Sequence, residues 1–249
     1  MKRIESNKNP QIKQWKKLHT KKERDKNGIF MIEGFHLVEE ALNNDAIIRE
    51  LIISETIEIP KNWNVDNLAI TIVTDKIMQE ISDTDTSQGV AAICEQYSKI
   101  EADSYSRVLL VDAVQDPGNL GTMIRTADAA GIDAVIIGDG SVDVYNSKVL
   151  RSTQGSIFHI PIMKENLHET IARLKQNGVK VYGTSLKNAI DYKEATIGDS
   201  FALIVGNEGN GVHPELLEKT DQNLYIPIYG KSESLNVAVA AGILLYHLR

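Results

Sequence analysis

The sequence Phe201-Ala-Leu-Ile-Val-Gly-Asn-Glu-Gly-Asn-Gly-Val212 joins a run of five apolar residues to a loop that contains three glycines. Such a run is typical of a strand buried on both faces of a parallel sheet. Glycines let the backbone approach a ligand closely, and Glu208 adds a carboxylate to the same loop. No Gly-Lys-Ser/Thr follows, and the glycine spacing does not fit the dinucleotide fingerprint. The loop therefore indicates neither a nucleoside triphosphate nor a nicotinamide cofactor. By itself it is equally compatible with a ligand-binding loop and with an ordinary sharp loop.

Further short apolar runs alternate with helical segments on both sides of this stretch, and they predict an α/β domain with a mostly parallel sheet. The predicted strands are 108–111, 134–137, 158–162, 179–183, 201–205 and 224–228, and the clearest helices are 119–130, 166–176 and 235–248. A smaller α/β unit is predicted over residues 28–95, with strands 29–32, 50–53, 68–73 and 89–94 and helices 35–43 and 75–82. Residues 96–106 lose the apolar pattern and read as a linker, which places the larger domain at 107–249.

Polar residues also gather in the segment Asp116-Pro-Gly-Asn-Leu-Gly-Thr-Met-Ile-Arg125. Pro117 and Gly118 predict a turn, and Asn119 is expected to cap the helix that follows. Arg125 lies about two turns into this helix, where a guanidinium can hold a phosphate in a bidentate grip. A capped helix with one surface arginine explains the segment equally well.

A second polar group precedes the C-terminal helix, which is apolar nearly all round. The group consists of Ser232, Glu233, Ser234 and Asn236. Ser234 is expected to cap the helix, to contact a ligand, or to do both. Because the helix cannot face water, it either fills the core of the domain or forms a subunit interface.

The charge distribution indicates a nucleic-acid partner despite a net charge of −7. Residues 1–26 carry ten Lys or Arg and three Asp or Glu, a balance of +7 that leaves −14 for the remainder. We interpret residues 1–27 as a basic arm for phosphate contacts, although an amphipathic helix with outward-facing lysines is equally compatible. The single cysteine, Cys94, is expected in the core, and the absence of a signal peptide or a long apolar span predicts a soluble cytoplasmic protein without membrane contact.

Taken together, residues 119–127, 203–212 and 226–240 resemble the three motifs of the SpoU/TrmH family of RNA methyltransferases, and Gln88-Gly-Val-Ala resembles the element that precedes them. The resemblance implies 2'-O-methylation of a ribose with S-adenosylmethionine as the methyl donor. It also implies a trefoil-knot catalytic domain at 107–249, an RNA-binding domain similar to ribosomal protein L30e at 28–95, and a homodimer. Nothing in the periodicity indicates the knot, which general topology rules disfavour.

The resemblance also implies the site residues. Those expected around the cofactor are Thr184, Val205, Gly206, Ile226, Ile228 and Leu235. Those expected at the reaction are Asn119, Arg125, Glu208, Ser234 and Asn236, without a metal. Because an arginine resists deprotonation, we expect Arg125 to grip the phosphate beside the target ribose rather than to accept its proton.

Several alternatives remain open at this point. A nonenzymatic RNA-binding protein could keep the fold, and a related enzyme could methylate a base. A small-molecule enzyme would leave the basic arm and the first domain without a role. The first domain favours ribosomal RNA over transfer RNA as the substrate.

Overall fold

The computed structural model describes residues 1–44, 46–96 and 105–249, and the chain divides into two compact units. The first unit comprises Met1–Ser98 and Tyr145–Phe158, and the second comprises Lys99–Val144 and His159–Arg249. Most of the predicted linker, residues 97–104, lies outside the described residues.

The first unit is built on a mixed five-stranded sheet in the order β1-β4-β3-β5-β2. β1 and β3 run parallel to β4, whereas β5 pairs antiparallel with both β3 and β2. The strands are β1 (Lys2–Ile4), β2 (Ile29–Glu33), β3 (Ile48–Ser54), β4 (Ile70–Val73) and β5 (Val90–Glu95), and the helices are α1 (Pro10–Lys17), α2 (Lys21–Asn27), α3 (Phe35–Asn43) and α4 (Asp75–Ile81). Cys94 lies fully buried in β5, as expected, and burial raises the pKa of its thiol to about 12.

The interpretation of residues 1–27 as an arm is wrong. Lys2–Ile4 forms an edge strand of the sheet, and Ile12, Trp15 and Leu18 are at most 5% exposed in the same core cluster as Ile4. These apolar residues recur at helical spacing, so α1 must pack on the sheet to remove them from water. The alternative of an amphipathic helix with outward-facing lysines describes this segment correctly.

A second correction concerns residues 145–158, which the sequence places in the larger domain but which belong to the first unit. The ring of Tyr145 packs on Phe30 with centroids 4.5 Å apart. The predicted strand 158–162 is also wrong, because a 3₁₀ turn at Ser156–Phe158 precedes a strand that begins only at Ile162. Ile157 and Phe158 are buried within this turn, so their apolar pattern reflects burial and not an extended backbone.

The second unit contains a seven-stranded sheet in the order β10-β12-β9-β11-β6-β7-β8, and every strand pair is parallel. This arrangement confirms the predicted fold class. Short buried strands supply the core, as expected for a sheet covered on both faces. The strands are β6 (Arg107–Val111), β7 (Ala134–Ile137), β8 (Ile162–Lys164), β9 (Lys180–Thr184), β10 (Ala189–Asp191), β11 (Phe201–Val205) and β12 (Gln222–Tyr225). The helices after β6 are α5 (Pro117–Ala129), α6 (Ser147–Thr153, in the first unit), α7 (Leu167–Gln176), α8 (Pro214–Leu217) and α9 (Val237–Leu248).

Two features are absent from the described residues. Within them, no helix is long and apolar enough to cross a membrane. The same part of the chain contains no group of three or more His, Cys, Asp or Glu side chains arranged to hold a metal ion.

Candidate active site

Glu208 lies in the glycine-rich loop that follows β11, and its carboxylate accepts three hydrogen bonds from the start of α5. The donors are the backbone N–H of Gln115 at 3.2 Å, the backbone N–H of Asp116 at 3.0 Å and Nδ2 of Asn119 at 3.0 Å. Burial alone would raise the pKa of Glu208. The hydrogen bonds from Asn119 and the backbone lower the pKa by more than burial raises it, so the pKa lies below its ordinary value. Glu208 is therefore a fixed anion that ties the loop to α5.

Asn119 links Glu208 to the C-terminal motif. Its Nδ2 donates to Glu208, and its Oδ1 accepts a hydrogen bond of 2.8 Å from Nδ2 of Asn236. The expectation that Asn119 caps α5 is wrong, because Asp116 is the cap and accepts the Asn119 N–H at 2.8 Å. The helix therefore begins at Pro117, two residues earlier than the sequence predicts. A proline suits the first helical position because it has no backbone N–H that needs a partner.

Asn236 has two roles at the entrance of α9. Its Oδ1 caps the helix by accepting the N–H groups of Ala238 at 2.9 Å and Val239 at 3.3 Å, which leaves Nδ2 for Asn119. The predicted cap at Ser234 is therefore wrong, since α9 begins two residues later than that cap requires. Ser234 is exposed, and its carbonyl oxygen accepts a hydrogen bond from Oγ of Ser232. Its side chain does not cap α9, and contact with a ligand stays a prediction.

Arg125 lies on the solvent face of α5, six residues beyond Asn119. Its side chain is exposed, and within residues 1–44, 46–96 and 105–249 it forms no hydrogen bond or ion pair. The structure thus joins Asn119, Glu208 and Asn236 directly, while Arg125 and Ser234 stay outside this hydrogen-bonded chain. An exposed guanidinium without an internal partner can bind a phosphate from outside the protein.

Three of the residues expected around the cofactor lie at the carboxyl edge of three neighbouring strands. Thr184 ends β9, Val205 ends β11, and Ile226 follows the last residue of β12. Leu224 pairs with Thr184 and Leu203 with Tyr182, so Val205 and Thr184 reach the same level of the sheet. Open α/β sheets bind ligands at this edge.

Gly206 is packed closely against the backbone of its own loop. A Cβ atom added there would lie 2.2 Å from the backbone of Gly211 and Val212, so the loop folds back directly over this position. Ile226, Ile228 and Leu235 are all partly exposed. A tight backbone turn beside partly exposed apolar side chains suits a ligand with a flat apolar ring and several polar groups, as S-adenosylmethionine has.

Two further residues shape the loop and were not among the site residues expected from the sequence. Oδ2 of Asp112, a residue only 9% exposed, accepts the backbone N–H of His213 at 2.7 Å. Nδ2 of Asn207 donates to the carbonyl of Ala113 at 3.0 Å, and its Oδ1 accepts the N–H of Gly209. Asp112 could have been found from the sequence, because its carboxylate directly follows the buried strand β6.

Comparison with known proteins identifies the family. Residues 106–246 match the model of the SpoU rRNA Methylase family, and residues 9–92 match the MRM3-like substrate binding domain. The 23S rRNA (guanosine(2553)-2'-O)-methyltransferase RlmP of Bacillus subtilis (strain 168) is 55% identical over the full length of both chains.

Solved structures show the same architecture. An S-adenosylmethionine-bound rRNA methyltransferase from Sinorhizobium meliloti superposes with a TM-score of 0.90 at 34% identity, covering 100% of this chain and 97% of the other. The TrmH/SpoU tRNA modifying enzyme of A. aeolicus covers only 59% of this chain and 76% of its own, with a TM-score of 0.53 at 31% identity.

An α/β domain with three polar motifs joined at the carboxyl edge of a parallel sheet, in a chain that also matches a substrate-binding domain model, defines a class of RNA-modifying transferases. Within that class, this chain belongs to the SpoU rRNA methylase family. The resemblance inferred from residues 119–127, 203–212 and 226–240 is confirmed.

Proposed function

We propose that this protein transfers a methyl group from S-adenosylmethionine to the 2'-hydroxyl of a guanosine ribose in 23S ribosomal RNA. The main support is the hydrogen-bonded chain Glu208–Asn119–Asn236, which joins the three family motifs at one place. The guanosine target follows the relative that is 55% identical over its whole length. The match to a tRNA-modifying enzyme covers only 59% of this chain, and this partial coverage favours ribosomal RNA.

The cofactor supplies an electrophilic methyl group on a sulfonium centre. Thr184, Val205, Gly206, Ile226, Ile228 and Leu235 would surround it at the edge of the sheet, in a segment that the family resemblance expects to be knotted. The protein then has mainly to hold the ribose oxygen in line with the methyl carbon and to exclude water.

The polar residues divide this task. Arg125 grips the phosphate beside the target ribose, because its guanidinium is exposed and has no partner in the described part of the chain. The Ser234 hydroxyl is exposed and close in sequence to Asn236, so it can bond the ribose hydroxyl. Glu208, Asn119 and Asn236 fix the positions of these two groups by joining the elements that carry them.

An exposed apolar face of α9 favours a homodimer. Val239 and Tyr246 on α9 are 52% and 61% exposed, and Gly242 and Ile243 between them are only partly covered. These four residues share one helix face, which is more apolar than a solvent-facing helix requires. A second copy of the chain is the proposed occupant, as the family resemblance implies. Val239→Arg with Tyr246→Arg should give a 27.6 kDa monomer by light scattering, whereas Ile197→Arg, at a residue 58% exposed elsewhere, should leave a dimer.

Locating the methyl group on the product tests the proposed reaction. The purified protein, S-adenosylmethionine and 23S rRNA from cells that lack the gene should yield one 2'-O-methylguanosine by nuclease digestion and mass spectrometry. A methyl on a base, a methyl in transfer RNA alone, or RNA binding without any transfer would each refute the proposal in favour of the corresponding alternative. A cytoplasmic location is also proposed, since ribosomal RNA and the cofactor are both present there.

A further inference from the structure

Ala113 has a left-handed backbone conformation, with a φ of +53°. It lies between β6 and α5, three residues before Asp116, the cap of α5. Residues other than glycine rarely adopt this conformation, because Cβ comes too close to the following carbonyl oxygen. Such a residue persists only where the surrounding structure holds it, and strain of this kind is concentrated at functional sites. Ala113 therefore needs contacts that keep it in place.

The backbone on both sides of Ala113 is fixed by hydrogen bonds. The N–H of Asp112 donates to the carbonyl of Val205 at 2.8 Å, which anchors the chain to β11. The carbonyl of Val114 accepts the N–H of Val142 at 2.9 Å. The strained residue is thus confined before and after its own position.

Asn207 holds the carbonyl of Ala113 itself. Its Nδ2 donates to that oxygen at 3.0 Å, and this bond is the Asn207 tether. Its Oδ1 accepts the N–H groups of Gly209 at 3.0 Å and Asn210 at 3.1 Å, and its backbone N–H and carbonyl both bond Gly211. One asparagine therefore closes the glycine-rich loop and fastens this loop to the strained residue.

Glu208, the next residue of the loop, bonds the other end of the same short segment. Its carboxylate accepts the N–H groups of Gln115 and Asp116, two and three residues after Ala113. The conformation of Ala113 sets the direction of these N–H groups, because rotation about the backbone of one residue turns the chain that follows. The neighbours Asn207 and Glu208 thus bond both ends of a segment whose shape depends on the strained residue.

We propose that Asn207 and Ala113 are positioning residues for methyl transfer. Asn207 holds Ala113 in the left-handed conformation, and this conformation directs two backbone N–H groups to the carboxylate of Glu208. Neither residue contacts the ribose or the cofactor in this role, since both act through Glu208 and the hydrogen-bonded chain that continues from it. The proposal rests on the proposed function, because methyl transfer is the reaction that this arrangement serves.

Asn207→Asp removes the tether and keeps the turn of the loop. A carboxylate still accepts the N–H groups of Gly209 and Asn210, but it cannot donate to the carbonyl of Ala113. With 23S rRNA and S-adenosylmethionine, kcat should fall at least about tenfold, because small displacements of reacting groups are costly. KM for the RNA should stay within about twofold, since the lost interaction acts on the transition state and not on RNA binding.

Two further variants control for charge and for folding. Asn210→Asp adds the same charge at an exposed position of the same loop and should keep kcat within about twofold of the wild-type value. Ala113→Val leaves the tether intact but introduces a branched residue that resists positive φ, so it should lower kcat as Asn207→Asp does. The comparison therefore survives if circular dichroism shows that Asn207→Asp is unfolded.

Ala113→Gly supplies the rescue. Glycine adopts positive φ without strain, so the turn no longer depends on the tether. Combined with Asn207→Asp, it should recover at least about fivefold of the lost kcat, the equilibrium factor that corresponds to the strain of a left-handed residue. Gln154→Gly is the control for relief of strain elsewhere, because Gln154 is exposed and has a φ of 49°, and it should recover nothing.

Hydrogen exchange measures the same coupling without methyl transfer. The two backbone N–H groups that bond Glu208 should exchange at least about tenfold faster in Asn207→Asp than in the wild type. Adding Ala113→Gly should restore their protection. The N–H of Ala238, which bonds the cap of α9, is the internal control and should exchange at the wild-type rate.

Unchanged kcat in Asn207→Asp, an equal loss in Asn210→Asp, or unchanged exchange of the two N–H groups overturns the proposal. So does recovery by Gln154→Gly that equals recovery by Ala113→Gly, or no recovery by Ala113→Gly. Any of these results leaves the proposed function standing, because the wild-type protein would still methylate 23S rRNA. If the wild type transfers no methyl group yet protection is lost and restored as described, the coupling stands and the proposed reaction fails.

Discussion

Nδ2 of Asn236 donates a hydrogen bond of 2.8 Å to Oδ1 of Asn119, although 117 residues separate the two asparagines. Asn236 uses its other side-chain atom to cap α9, and Asn119 uses its own Nδ2 to bond Glu208. Two amides and one carboxylate therefore couple the start of α5, the glycine-rich loop and the start of α9. Movement of any one of these elements would displace the others.

Asn236→Asp should separate capping from coupling. Aspartate caps a helix about as well as asparagine, so the melting temperature should change little. It cannot donate to Asn119, so we expect the rate of methyl transfer to fall at least about tenfold. The control is Asn166→Asp, the cap of α7, which accepts from His168 and should keep full activity. Wild-type turnover in Asn236→Asp would show that the coupling does not position the reaction.

Glu208→Gln should reduce the acid sensitivity of the fold. The pKa of Glu208 is lowered in the folded protein, so its contribution to stability is present above the unfolded pKa and is lost as pH falls through the lower, folded value. Urea denaturation should therefore show a smaller stability difference between pH 7 and acidic pH, below about 4.5, in the variant than in the wild type. Glu218→Gln, at another exposed glutamate, controls for the loss of one charge. An unchanged pH profile would argue against the hydrogen bonds described for the carboxylate.

Arg125→Ala should abolish methyl transfer while the fold is preserved. Because the side chain is exposed and has no partner in the described residues, stability should change by no more than about 0.5 kcal/mol. Transfer should fall at least about 100-fold, since the ribose is no longer held in line. Arg125→Lys should restore little, because a point charge does not replace a planar fork. Calorimetry should give an unchanged cofactor affinity, and full activity in Arg125→Ala would exclude the phosphate grip.

Gly206→Ala should disrupt the cofactor edge of the sheet. The added Cβ would lie 2.2 Å from the backbone of Gly211, so the loop must open, at a cost of about 1 to 3 kcal/mol. Binding of S-adenosylmethionine, measured by calorimetry, should weaken together with stability. Gly198→Ala is the matched control, because nothing lies within 4 Å of its added Cβ. Equal behaviour of the two variants would contradict the tight loop.

Removal of residues 1–26 should unfold the first unit and not merely weaken its attraction for RNA. The deletion takes away an edge strand and the buried side chains of Ile12, Trp15 and Leu18. Trp15→Ala alone should cost about 3 to 5 kcal/mol of stability. Lys13→Gln, at an exposed position of the same helix, should leave the melting temperature unchanged. A truncated protein with native circular dichroism and cooperative melting would contradict the role of this segment in the core.

The sequence by itself determined the parallel sheet of the second unit and the residue types of its site. Runs such as 108–111 and 201–205 are apolar at every position, a pattern typical of strands buried on both faces, and both runs form such strands. Glycine, amide and carboxylate residues directly after such strands indicated the ligand edge for the same local reason. Motif order and spacing then indicated the family, which the comparisons confirm.

Only the tertiary structure decided which of these residues meet. Glu208 and Asn119 are 89 residues apart, and their contact depends on neighbouring parallel strands whose order the local pattern does not contain. The same limit explains the misplaced boundaries, because residues 1–27 and 145–158 join the first unit through the packing of Trp15 and Tyr145 on distant strands. Local periodicity specifies which face of an element is apolar, whereas the surface that covers this face is set by the whole fold.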